Sequence, residues 1–255
     1  MSGETRRFDA ERVDNVLRTN ELFRPGSSRR AFLGRTLAAG GGVALGAGGA
    51  LLGGLGIAFA DGNPVADFAN AAVGAERIGI AFYQNALGIT SQFGVAGDVA
   101  KGTLLNSGHR EYFMAAANQE TDHLTTLTGL GFTFPFSTFA FPAGTFASAG
   151  AMLAFGEQLE SVFIGAYLGA VNVAASTSGA AGVAELAAQI MGIECEHRVL
   201  IRDINGEDPP NDRFYEGNQT ASTAATLGNT GTRSTVYATA ADAVNALLAL
   251  GITPS

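Results

Sequence analysis

At positions 120–123 the chain reads Glu120-Thr121-Asp122-His123, and at 194–197 it reads Glu194-Cys195-Glu196-His197. Each histidine follows a glutamate by three, a spacing that puts both side chains on one face of a helix. The chain has only three His, so two of them in matched contexts locate any chemistry that needs a pair. Both stretches sit inside segments of helical character. One runs from about 109 to 130 and stops at Gly129 and Gly131; the other runs from about 180 to 204 and closes at Asn205-Gly206.

Two further helices flank these. From 64 to about 90 no proline interrupts, and Phe68, Val73, Ile80, Phe82 and Leu87 recur at spacings suited to a buried helix; another runs from about 146 to 175. Period-two alternation is scarce, so an all-α bundle is expected. Residues 176–179 form a short polar turn that forces the last two helices antiparallel. Residues 131–145, rich in Phe and Pro, separate the second helix from the third. That linker can reach roughly 50 Å, whereas a helix of about 25 residues is roughly 37 Å long. An up-down-down-up four-helix bundle with one long crossover follows. Beyond Gly206 the composition turns to Asn, Thr, Gly and Pro, and only 240–250, with Val244, Leu247 and Leu248 on one face, looks helical again. The expected division is 1–60 as a leader, 61–205 as the bundle, and 206–255 as an extension: an ordered strap ending in a short docking helix.

The first and third helices each carry a carboxylate in apolar surroundings, Glu76 and Glu160. Buried alone, either would be costly. One Glu from each of two helices plus Glu-x-x-His from each of the other two is the ligand pattern of di-iron and di-manganese carboxylate bundles. The candidate metal ligands are therefore Glu76, Glu120, His123, Glu160, Glu194 and His197. At about 1.5 Å per residue, all four carboxylates fall within about a turn of one level along the bundle. Four carboxylates also balance two divalent cations, and the carboxylate-imidazole set suits two iron or manganese ions better than structural zinc. Tyr83 follows Glu76 by seven, and Tyr167 follows Glu160 by seven, so an internal duplication of a helix pair would explain the whole arrangement.

From 76 to 202, about half the chain, the sequence resembles the ferritin-like superfamily. The stretches LESVFIGAYLGAV and IMGIECEHRVLIR, with the Phe/Pro crossover between the helix pairs, are similar to the branch called desiccation-related or ferritin-like domain proteins. The resemblance implies a ferritin-like four-helix bundle holding a carboxylate-bridged metal pair. Frequent Gly and an irregular linker before the second helix depart from cage-forming branches, so a 24-chain storage shell is not carried over, although a homo-oligomer is compatible.

Other polar residues take plainer roles. Glu157, one turn before Glu160, is either an extra ligand or a solvated neighbour, the latter preferred. Tyr83 and Tyr167 lie about 10 Å from their own Glu, too far to ligate with it, and are expected to pack with satisfied hydroxyls. Asp122 and Glu196 either orient an imidazole or are exposed acids. Cys195 is expected as a small buried residue, and His109 at the surface.

The composition narrows the field further. With 47% hydrophobic and 15% charged residues the chain is not disordered, and its net charge of -8 argues against nucleic acid as a partner. One Cys excludes an intrachain disulfide, and no phosphate-loop, dinucleotide or nucleophile-elbow motif is present. Eight Arg and five acids make residues 1–60 net +3. Within them Ser28-Arg29-Arg30-Ala31-Phe32-Leu33 resembles a twin-arginine export motif, followed by an uncharged run from 36 to 60 ending Ala58-Phe59-Ala60. Export through the twin-arginine translocase to the periplasm or the exterior is expected, with the mature chain beginning at Asp61. A retained anchor is the alternative, although nine Gly in the run lower its helix propensity and hydrophobicity. The functional expectation is a di-metal protein that reacts with dioxygen or hydrogen peroxide as oxidase, ferroxidase or catalase-like enzyme. Two alternatives stay open: a non-catalytic desiccation or stress protein stapled by its metals, and a metal-storage protein.

Overall fold

The computed structural model describes residues 49–52, 57–60, 63–101, 104–207, 210 and 236–254. The twin-arginine stretch, Asp61 and most of the strap at 211–235 lie outside them. Ahead of the helices a short antiparallel hairpin pairs β1 (Gly49–Leu52) with β2 (Ile57–Ala60), Gly49 opposite Ala60.

Four long helices follow: α1 (Pro64–Ala86), α2 (Ser107–Gly129), α3 (Ala149–Ala175) and α4 (Ala181–Ile204). Three start on a side-chain cap that satisfies an orphan backbone N–H. Asn63 accepts from Ala66, Asn106 from His109 and Ser148 from Ala151, and Pro64 adds a preset φ at the first position of α1. α1 stops at Ala86, four residues short of the expected end. The reason is Gly88, whose φ of 78° turns the backbone into the left-handed region that glycine enters without strain. α3 starts at Ala149 rather than 146, because Ser148 provides the cap.

Side-chain contacts give the helix directions. Arg110 near the start of α2 donates to Leu87 O at the end of α1, and Thr133 N beyond α2 donates to Asn70 near the start of α1, so α1 and α2 are antiparallel. α3 is antiparallel to α1, since Val65 packs with Ala174 and Tyr83 reaches Glu160. Arg202 on α4 meets Glu157 on α3, which makes that pair antiparallel too. The order is up-down-down-up, as expected, with residues 130–148 as the crossover. It is bound along its length rather than merely spanning. Arg77 Nη1 donates to the carbonyls of Phe134 and Phe136 at 3.0 and 2.6 Å, while Phe139, Phe141 and Phe146 are buried in the main core.

The chain ends on α5 (Ala240–Ala249), opened by a reciprocal Thr239–Asp242 capping box. Val244 and Leu247 of α5 are buried against the bundle. Beyond it β4 (Thr253–Pro254) pairs with β3 (Phe139–Ala140) of the crossover. Among the described residues no helix is long and apolar enough to cross a membrane.

Candidate metal centre

Each long helix turns one carboxylate inward. Glu76, Glu120, Glu160 and Glu194 are all at most 1% exposed, an arrangement that mutual repulsion and desolvation would forbid without compensating charge. The two Glu-x-x-His pairs bring imidazoles to the same place. His123 Nδ1 lies 3.1 Å from Glu76 Oε2 and 3.3 Å from Glu194 Oε1; His197 Nδ1 lies 3.1 Å from Glu194 Oε2 and 3.2 Å from Glu120 Oε1. All six expected residues are thus brought together.

They fall into two overlapping sets: Glu76, Glu120, His123 and Glu194 in one, Glu120, Glu160, Glu194 and His197 in the other. Within each set the ligand atoms lie within 4.8 Å of one another. Glu120 and Glu194 belong to both, so either could be shared between two cations. Glu76 and Glu160 are each confined to one. Four buried carboxylate oxygens, both of Glu120, Oε2 of Glu160 and Oε1 of Glu194, lack a well-aligned hydrogen bond, although imidazole nitrogens approach Glu120 Oε1 and Glu194 Oε1 to 3.2 and 3.3 Å. Orphaned acceptors of this kind fit cations in the space between them, and the carboxylate-imidazole chemistry suits iron or manganese.

The electrostatics of the metal-free centre show what cations would replace. Burial, reinforced by Glu194 and the other carboxylates, holds Glu120 and Glu160 well above the usual carboxylate range. Burial would raise Glu194 as well, but hydrogen bonds and charge from His123 and His197 override it and bring it down to about 2. Burial disfavours a charged His123, yet its hydrogen bonds to Glu194 and Glu76 lift it to about 10. Protons on His123, Glu120 and Glu160 stand where metal charge would otherwise be.

Three features of the surroundings were not legible in the sequence. The tyrosines are crossed: Tyr83 of α1 donates to Glu160 Oε1 of α3, and Tyr167 of α3 donates to Glu76 Oε1 of α1. Helical side chains lean toward the N terminus of their own helix, so a tyrosine two turns beyond the site leans back over it and meets the facing helix. Burial holds both phenols well above their ordinary pKa, so they remain donors at neutral pH. Gln119 Oε1 lies 2.9 Å from His197 Nε2, where it accepts the Nε2–H and holds the ring with Nδ1 turned to the carboxylates. Gly79 lies against Glu120, and a Cβ there would sit 2.7 Å from its carboxyl group.

The remaining polar residues sit apart. Glu157 accepts from Arg202 Nη1 at 2.6 Å and Arg198 Nη2 at 3.4 Å, so it serves an arginine pair beside the centre. Asp122 and Glu196 are exposed, Cys195 is half-buried rather than buried, and His109 bonds its own capping Asn106.

The ferritin-like domain family matches residues 65–207, which contain all four long helices and all six candidate ligands. The chain belongs to that family. Comparison with curated proteins and with solved structures finds no match.

Proposed function

We propose that this is an exported di-metal carboxylate protein whose centre holds two iron or manganese ions and reduces dioxygen or hydrogen peroxide. The observation that carries the reading is the pair of four-residue sets sharing Glu120 and Glu194, with orphaned carboxylate oxygens between them. Two such ions, cycling between the divalent and trivalent states, supply the two electrons that take dioxygen and two protons to hydrogen peroxide, or hydrogen peroxide and two protons to two waters.

The chain's own groups prepare the site. Glu120 and Glu194 span the two positions, while Glu76 and Glu160 each complete one. Tyr83 and Tyr167 occupy one oxygen of each terminal carboxylate, which directs the other oxygen inward. Gln119 orients the His197 ring so that Nδ1 faces the carboxylates. Burial of all four carboxylates keeps bulk water away from whatever they hold.

Export is supported by the twin-arginine-like stretch at 28–33 and the net positive leader ahead of an acidic body. A second reading draws on the same burial: the metals staple the bundle in a desiccation-related protein without turnover. Metal per chain, measured by plasma mass spectrometry on protein made with iron and manganese both present, tests the centre. Two equivalents are expected, and a folded protein without metal would overturn the proposal. Peroxide and dioxygen consumption by the loaded protein then separates the two readings, because the staple has none.

A further inference from the structure

The internal repeat aligns 76 with 160 and 83 with 167 in the first and third helices, and 120 with 194 in the second and fourth. Under that register three phenylalanines around Tyr83 face three alanines around Tyr167. Phe82 corresponds to Ala166, Phe155 to Ala71, and Phe113 to Ala187. At the Tyr83 end the rings close the bundle. Phe82 and Phe113 lie 5.2 Å from the Tyr83 ring, and Phe155 lies 6.0 Å from Phe82. At the Tyr167 end two apolar cavities, each with a free volume of about 20 Å³, lie beside these alanines, with Phe68 lining both and Phe163 the first. Ala71 and Ala166 line one, Ala187 lines the other, and Ala72, Ala170 and Tyr167 line both.

Their chemistry restricts the occupant. Among the described lining residues, Tyr167 alone carries a polar side chain, and its hydroxyl is committed to Glu76. A buried water needs two to four polar partners, and apolar cavities of this kind stay dry while admitting apolar guests. Hydrogen peroxide, with two hydroxyls to satisfy, is excluded on the same ground. The volume is above the ~10–15 Å³ that one water-sized molecule requires and leaves no room for an alkyl chain. Ala72 and Ala170 are half-exposed, so the pair can be entered from solvent, and Ala75, which lines the first cavity, adjoins Glu76.

We propose that these cavities are a binding site for a small apolar gas molecule, and that they deliver dioxygen to the Glu76 side of the metal centre. The gas site stands on the cavities alone; its service to dioxygen chemistry rests on the function proposed above. Ala166→Phe, which restores the ring found at the equivalent position, should fill the first cavity, and Ala170→Leu should narrow both.

The test uses the full chain, metal-loaded, with xenon as the probe. Wild type should show saturable xenon binding by ¹²⁹Xe NMR, and the double variant should lose it with metal content unchanged. After chemical reduction, oxidation by dioxygen in stopped flow should slow roughly tenfold in the double variant, while oxidation by hydrogen peroxide stays within about twofold. No xenon binding to wild type would overturn the site. Variants that exclude xenon yet react with dioxygen at the wild-type rate would overturn the delivery role. A loaded wild type inert to dioxygen but active on hydrogen peroxide would overturn the delivery role alone; one inert to both would sink the proposed function as well, leaving the gas site to be decided by xenon. Should the larger side chains prevent folding, Ala166→Val with Ala170→Val gives the same readouts.

Discussion

The two ends of the bundle carry the same chemistry in opposite packing. At one end Tyr83 holds Glu160 among Phe82, Phe113 and Phe155; at the other Tyr167 holds Glu76 among alanines. The imidazoles differ too. His197 is 3% exposed and held by Gln119, whereas His123 is 12% exposed and the residue equivalent to Gln119 is Ile193. The two helix pairs thus match at the candidate ligands and differ around them, so one position is enclosed by rings and the other lies beside small side chains.

The strongest way to break this comparison is to remove what the two positions share. Glu120→Ala or Glu194→Ala should abolish binding of both metals, because each belongs to both sets, whereas Glu76→Ala or Glu160→Ala should leave about one equivalent. Metal per chain decides this. Equal losses from all four variants would mean that the two positions are not separable. Next in size is Gly79→Ala. The added methyl has to displace the Glu120 carboxyl, and overpacking at such a site costs about 1–3 kcal/mol. Metal affinity should fall at both positions, as competition with a chelator would show, and unchanged affinity would mean that Glu120 has room to move.

How far the sequence could be read follows the same division. The convergence of six Glu and His residues, the helix directions and the crossover were legible because they rest on spacing, segment length and linker reach. The centre's supporting contacts were not. Gln119 is one residue from Glu120, and nothing in its spacing says that it meets a histidine 78 positions away. The crossed tyrosines depend on two facing helices and on side-chain lean, so reading each tyrosine against its own Glu found no partner. The ends of α1 and α3 missed by three or four residues, because hydrophobic periodicity runs past Gly88 and begins before Ser148. The Phe-to-Ala exchange was present in the letters all along; it acquires meaning only once those positions are known to surround Tyr83 and Tyr167.

Smaller effects sharpen the difference between the ends. Tyr83→Phe and Tyr167→Phe each strip a donor from a buried carboxylate, a loss of about 1–3 kcal/mol in the metal-free protein. The loss should be larger for Tyr83, since the cavities beside Tyr167 leave Glu76 room to adjust whereas the rings around Tyr83 hold Glu160 in place. Thermal or urea unfolding of both variants checks the order, and the reverse order would count against the two-ended picture. Gln119→Ala should weaken metal binding about tenfold at the His197 position alone, near the lower limit for such supporting contacts. A loss spread over both positions would show that Gln119 supports the bundle rather than the imidazole.

The smallest effect is a slope with pH, and its sign is determined by the direction of the shifts. Glu120 and Glu160 are raised and His123 is raised to about 10, so the metal-free fold binds more protons than the unfolded chain across neutral pH. Their contribution is complete on the acid side of the unfolded values and is lost as pH rises through the folded ones. Glu194, lowered to about 2, works in the opposite sense, but only below the ordinary carboxylate range. Metal-free protein should therefore lose stability steadily from about pH 6 to 9, whereas cations, which bind the deprotonated ligands, should make the loaded protein more stable over the same interval. The gap between the two melting temperatures widens with pH. Binding should release protons near neutrality, one of them from His123, as calorimetry in buffers of different ionisation enthalpy measures. His123→Gln should reduce that number by one and flatten the alkaline part of the slope. A melting temperature of the metal-free protein that rises toward pH 9 would mean that the four carboxylates are not held together as described, and the comparison between the two ends would lose its common centre.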